Sequence, residues 1–166
     1  MNPVENFRQA SDVIEGLLRG VQPEQMHAQT CCRDWEVANL VEHVVGGPNM
    51  FGAAAAGRPP AEMGALTSEN AAAEYRQHAD AAIEAFSGEG VLESTVQMPF
   101  GEMPGAMVAS LLFADQLTHA WDLAQATGQQ LDVDDSLAEQ ALGVWQMGLQ
   151  PSFRDGNMFD QEQQAG

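Results

Sequence analysis

The chain has 166 residues, enough for one domain with a real core, and 45% are hydrophobic, which excludes wholesale disorder. Its 24 acidic residues stand against six arginines and no lysine, and a net charge of −18 argues against nucleic acid or an anionic membrane surface as a partner. No apolar run approaches the roughly 20 residues of a membrane helix, and nothing at the N-terminus resembles a signal peptide, so a cytoplasmic protein is expected.

Alanine and leucine with few aromatics favour helix over sheet. The opening segment, "NPVENFRQASDVIEGLLRGV", has a cap-then-first-turn start at Asn2 and Pro3, and Val4, Phe7, Ala10, Ile14, Leu17 and Leu18 fall on one helical stripe. Gly20 and Pro23 end it. After a polar connection, Asp34 is the expected cap of a second helix, with Val37, Leu40, Val41 and Val44 as its stripe. Pro48 follows two glycines, which predicts a kink with helix resuming through "NMFGAAAA". A third, alanine-rich helix is expected from about Ser68 to Phe86, its inner face made by Ala71, Tyr75, Ala79, Ala82 and Phe86.

Residues 89–105 break the helical rhythm and read as a crossover, with a short extended piece at Ser94 to Met98 and a turn in "FGEMPG". A fourth helix is expected from about Ala106 to Thr127, with Gly128 just past its end. A fifth, short helix starts at the capping box Ser136-x-x-Glu139 and carries Leu137, Ala141, Val144, Trp145 and Gly148. The expected architecture is all-α: one four-helix bundle over residues 1–150, with a long crossover between helices 3 and 4 and a short extra helix on its side. The polar residues 151–166 read as a poorly ordered tail.

The fourth helix carries the chemistry. On a helical wheel, Asp115, His119 and Asp122 share one arc with Val108, Leu111, Leu112, Leu123 and Ala126. The opposite arc, with Phe113, Leu117, Trp121 and Ala124, is apolar too, so burial on most sides is expected. Charged groups so placed need a partner. Asp115 and His119, at i and i+4, are neighbours on one face, a spacing that suits one divalent ion or a plain structural hydrogen bond. His43, at the edge of the second helix's stripe, is placed to point between helices. With Asp115 and His119 it would complete an open two-histidine, one-carboxylate set, of the kind that serves catalytic zinc or non-haem iron.

Asp122, one turn past His119, is a candidate to orient it from behind or to pair with a neighbouring helix N-terminus. Cys31 and Cys32 are sequence neighbours, about 3.8 Å apart at Cα and under the usual disulfide range, so reduced thiols are expected. Cys32 precedes the His43 helix, whose dipole can lower a thiol pKa; a small buried hydrophobe is the alternative. His27 and His78 read as solvated surface. No nucleophile elbow, nucleotide-binding glycine loop or C-x-x-C pair is present.

Two motifs carry a family resemblance. "TCCRDWEVANLVEHVVGG" matches a T-P-C-x-x-W-x-V-x-x-L-x-x-H-x-x-G-G pattern, with Cys31 where the pattern has proline. "DQLTHAWDLAQATG" matches an acid, three residues, then H-x-W-D-L-A-x-A-T-G, and "MPFGEMPG" lies between them. Over roughly residues 2 to 150 the chain resembles the DinB-like superfamily, in the branch of the mycothiol-dependent maleylpyruvate isomerase N-terminal domain. The resemblance implies a four-helix bundle whose metal is held by His43, Asp115 and His119. It also implies a metal that activates a low-molecular-weight thiol of the mycothiol type for attack on an electrophile, in S-transfer or isomerisation. The isomerase has glutamate at the position of Asp115 and a second domain beyond the bundle, so maleylpyruvate itself does not follow as substrate.

The resulting expectation is a metal-dependent thiol transferase or isomerase that uses zinc, with nickel or iron as alternatives. The competing one is a non-catalytic metal- or thiol-binding module of the same fold, and a plain bundle with a hydrogen-bonded Asp–His pair is the third. Apolar helix surface to spare also suggests a homodimer.

Overall fold

The computed structural model describes residues 2–32 and 34–148; the tail expected at 151–166 lies outside them. Helix α1 (Pro3–Gly20) begins as its sequence dictates, with the Asn2 side chain accepting from the amides of Val4 and Glu5 at 3.1 and 3.2 Å. This satisfies two of the four amides that a helix start leaves open. The whole predicted stripe from Val4 to Leu18 is buried. The polar connection contains a single 3-10 turn, Pro23–His27, that no periodicity signalled.

Helix α2 (Val37–Ala55) starts three residues beyond the expected cap. Asp34 lies in the preceding turn, and the cap position is Glu36, whose amide donates to Asn39 Oδ1 at 3.0 Å. The helix continues through Pro48 and buries Val37, Leu40, Val41 and Val44. Past its end the chain folds back, held by a two-way bond between the Asn49 amide side chain and the backbone of Ala61 (2.8 and 2.9 Å).

Helix α3 (Ala71–Phe86) is shorter at its start than expected, because Asn70 is engaged in a local turn with Thr67 and Ala65. Its predicted inner face is buried throughout. It packs on α2 so closely that a Cβ at Gly52 would lie 2.7 Å from Ala82 Cα.

The crossover holds a full hairpin, β1 (Thr95–Met98) paired antiparallel with β2 (Gly101–Pro104), Thr95 opposite Pro104 and Met98 opposite Gly101. The extended piece was legible; its partner strand was not.

Helix α4 (Gly105–Thr127) ends at Gly128 in the left-handed conformation, φ 67°. Its first amides are taken up by the crossover: Gly105 N–H donates to Ser94 O at 2.8 Å and Ala106 N–H to Leu92 O at 2.9 Å. Gly105 is pressed against this segment, and an added Cβ would overlap Val91 O. Phe113, Leu117 and Ala124 are buried as the wheel predicts, but Trp121 is 49% exposed, so α4 keeps one solvent-facing edge.

Helix α5 (Asp135–Gly148) packs on α4. Its start is capped by Asp134, whose Oδ1 accepts from the Ser136 amide at 2.8 Å, not by Ser136. Leu137, Ala141 and Val144 are buried, and Trp145 Nε1 donates to Thr118 Oγ1 on α4 at 2.9 Å. Helices α1 to α4 thus form the bundle, with α1 against α4 and α2 against α3, and α5 lies outside it. No helix among the described residues is long and apolar enough to cross a membrane.

Candidate metal centre

Where α2 faces α4, three predicted side chains meet. His43 Nε2 lies 3.4 Å from both carboxylate oxygens of Asp115, and His119 Nε2 lies 3.5 Å from Asp115 Oδ1. The two imidazoles stand edge to face with centroids 4.6 Å apart. One ligand atom from each residue falls within 4.8 Å of the others. These separations are long for hydrogen bonds. They match the span of donors around a tetrahedral ion, where two atoms about 2.1 Å from a metal stand about 3.4 Å apart. The residues present therefore fit a divalent ion, and a set of three leaves positions for a small molecule.

Access is one-sided. The His43 side chain is 37% exposed, Asp115 24% and His119 15%, so the site opens to solvent past His43. Behind it, His119 Nδ1 donates to Asp122 Oδ2 at 2.7 Å. That bond fixes the neutral tautomer whose free lone pair is on Nε2, the nitrogen turned toward Asp115.

The electrostatics follow from this geometry. Burial works to raise the Asp115 pKa, but the adjoining His119 and His43 imidazoles outweigh it and hold the carboxyl well below the usual range. Burial likewise opposes charge on His119, and the flanking Asp115 and Asp122 override it, lifting its pKa to about 9. Asp122 is lowered: burial is overcome by its bonds to His119 and Cys31.

Cys31 Sγ donates to Asp122 Oδ1 at 2.9 Å and Cys32 Sγ to Oδ2 at 3.5 Å, so both thiols lie beside the site. The helix dipole does not prevail at Cys32. Its pKa is raised, first by burial and then by the charge of Asp122, and the same causes push Cys31 up to about 12. Neither is a ready thiolate. Both are free cysteines.

The family model of the mycothiol maleylpyruvate isomerase N-terminal domain matches residues 7–124, a span that includes His43, Asp115, His119 and Asp122. The chain belongs to this family. Two uncharacterized proteins of Mycobacterium tuberculosis, from strains CDC 1551 and H37Rv, are each 38% identical to it over 156 residues, covering 93% of this chain and 83% of theirs. The crystal structure of a mutant of the mycothiol-dependent maleylpyruvate isomerase superposes with a TM-score of 0.63 at 14% identity, over 83% of this chain and 65% of that one. That likeness shows a shared fold: the DinB-like bundle of the isomerase. The chain spans just under two thirds of that protein's length.

In this isomerase-domain bundle two further residues frame the site. The Trp35 ring lies 5.0 Å from the His43 ring and 5.9 Å from the His119 ring, roofing both. Its position in the "DWEV" motif, just ahead of the His43 helix, was the available signal. Gln116 is fully buried, with Nε2 3.4 Å from Asp115 Oδ2 and Oε1 lacking a hydrogen-bond partner.

The other histidines lie elsewhere. His27 is exposed and pairs with Glu36 at 2.9 Å. His78, read as solvated surface, is buried, its pKa lowered by desolvation. It lines a cavity of about 220 Å³ that Asn49, Arg58 and Ala61 also line, so the segment after α2 covers a face that α3 alone would leave wet.

Proposed function

We propose that this chain binds a divalent metal through His43, Asp115 and His119 and uses it to activate a low-molecular-weight thiol of the mycothiol type for S-transfer to, or isomerisation of, a small electrophile. The observation that carries the reading is the convergence of two imidazoles and one carboxylate at ion-like separations on a site open on one side. Membership of a family whose domain is described by mycothiol and maleylpyruvate isomerase supports the thiol. Zinc is the ion proposed, with nickel or iron accepting the same donors. When bound, the ion supplies the positive charge that lowers the pKa of a thiol placed on it.

The chain's own residues prepare that chemistry. Asp115 stays ionised at any physiological pH, which keeps an anionic donor available to a cation. Asp122 holds His119 in the tautomer that offers Nε2. Trp35 shields the two imidazoles from water on one side, and the exposed edge of His43 is the entry for thiol and electrophile.

The test is elemental analysis of the purified chain, followed by thiol transfer to a generic aromatic electrophile. One divalent ion per chain is expected at the histidines. His119→Ala should lose both the ion and the turnover while keeping the helical circular dichroism. Protein that contains no divalent metal and gains none on titration would sink the reading. Strong metal stabilisation without turnover would favour a non-catalytic binding module.

A further inference from the structure

Cys31 and Cys32 supply no donor to the His43–Asp115–His119 set, yet both thiols converge on one carboxylate. Their sulfurs and an oxygen of Asp122 lie within 4.8 Å of one another. Consecutive side chains on extended backbone point to opposite faces; here the turn at Cys31 and Cys32 brings them to the same side. Buried Thr30 holds that turn. Its Oγ1 accepts from the Cys32 amide at 3.1 Å and lies 3.1 and 2.8 Å from the carbonyls of Cys32 and Trp35, while its own amide donates to Trp35 O at 3.1 Å.

A disulfide between neighbours this close is strained. Two sulfurs fixed beside a carboxylate are instead a soft donor set, which selects thiophilic cations. Cys31 is exposed and Cys32 partly so, giving an ion a route from solvent. The carboxylate can serve two neighbours at once: Oδ2 keeps the bond to His119, and Oδ1 faces Cys31.

The geometry points to a second cation site, formed by Cys31 Sγ, Cys32 Sγ and Asp122 Oδ1, for a thiophilic divalent ion such as cadmium or zinc. Binding replaces two S–H bonds with two sulfur–metal bonds and releases two protons to solvent, with no change of oxidation state. The site goes beyond the proposed function and stands without it, although the two share Asp122.

Cadmium is the probe, because only sulfur donors give it the near-ultraviolet charge-transfer band. Titrating the full chain should raise that band to a plateau at one cadmium per chain. The Cys31→Ser, Cys32→Ser double variant should lose it, and His43→Ala should keep it. On the unmodified chain, one equivalent of cadmium should slow alkylation of both cysteines by iodoacetamide at least tenfold, a readout that does not depend on any variant folding. No band and unchanged alkylation would overturn the proposal, even if metal still binds at the histidines. Loss of the band in His43→Ala would overturn it too, by assigning the sulfurs to the first site. A band that persists in protein without metal at the histidines supports this site while the proposed function fails.

Discussion

His119 and Asp122 stand one turn apart on α4, joined by a 2.7 Å bond from Nδ1 to Oδ2, and that bond decides which nitrogen of His119 faces Asp115. Orienting bonds behind a ligand histidine are typically worth 10- to 100-fold in metal affinity. Asp122→Ala should therefore weaken metal at the histidine site by about 10- to 100-fold, measured by competition with a chromophoric chelator. Unchanged affinity would assign Asp122 to the thiols alone.

The metal-free protein should have a definite pH profile. His119 is raised from 6.5 to about 9 on folding, so its contribution is complete below about 6.5 and is lost as pH climbs to about 9. Asp115 is lowered, so its contribution is present above its ordinary 3.8 and is lost as pH falls through the folded value. The His119 share is on the order of 3 kcal/mol. Denaturant midpoints should fall between about pH 6.5 and about pH 9, and His119→Gln should flatten that slope. Metal affinity should run the opposite way, rising with pH as His119 gives up its proton.

Trp35 offers an optical handle on the same site. Its ring is 5.0 Å from His43 and 5.9 Å from His119, whereas Trp121 is largely exposed and Trp145 bonds Thr118. Titration with zinc should change the tryptophan emission, and Trp35→Phe should remove most of the change. An unaltered response in the variant would place the bound ion elsewhere.

The close approach of α2 and α3 makes opposite predictions for two helical glycines. Gly52→Ala sets a Cβ 2.7 Å from Ala82 Cα, backbone that cannot swing aside. It should cost about 1–3 kcal/mol by overpacking. Gly16→Ala meets nothing within 4 Å and should stabilise α1 by about 0.5–1 kcal/mol. Urea midpoints moving in the same direction would contradict the packing described for Gly52.

Much of the frame was legible because it is written locally. The α1 stripe, the Asn2 cap, the inner face of α3 and the stop at Gly128 each depend on neighbours along the chain. Asp115 and His119 were picked out because charged groups on an apolar arc demand a partner, and His43 because it sits at the edge of its own helix's apolar stripe. What escaped was set by distant segments. His78 is buried by chain that returns after α2. β2 contains both Gly101 and Pro104, which mask a strand. Trp121 shares an apolar arc with Phe113, and a wheel cannot tell which edge no neighbour will cover. The Cys32 thiol answers to Asp122, 90 residues away, rather than to the helix beside it.

Gly105 connects the hairpin crossover to the candidate site. One step along an α-helix is about 1.5 Å of rise and 100° of turn. With its first residue pressed against Val91 and its first amides bonded to Ser94 and Leu92, α4 has a fixed zero from which Asp115 and His119 are counted. The height and bearing of those side chains opposite His43 are therefore indexed ten and fourteen residues upstream, at Gly105. In this bundle the smallest residue of α4 sets the aim of its most polar ones.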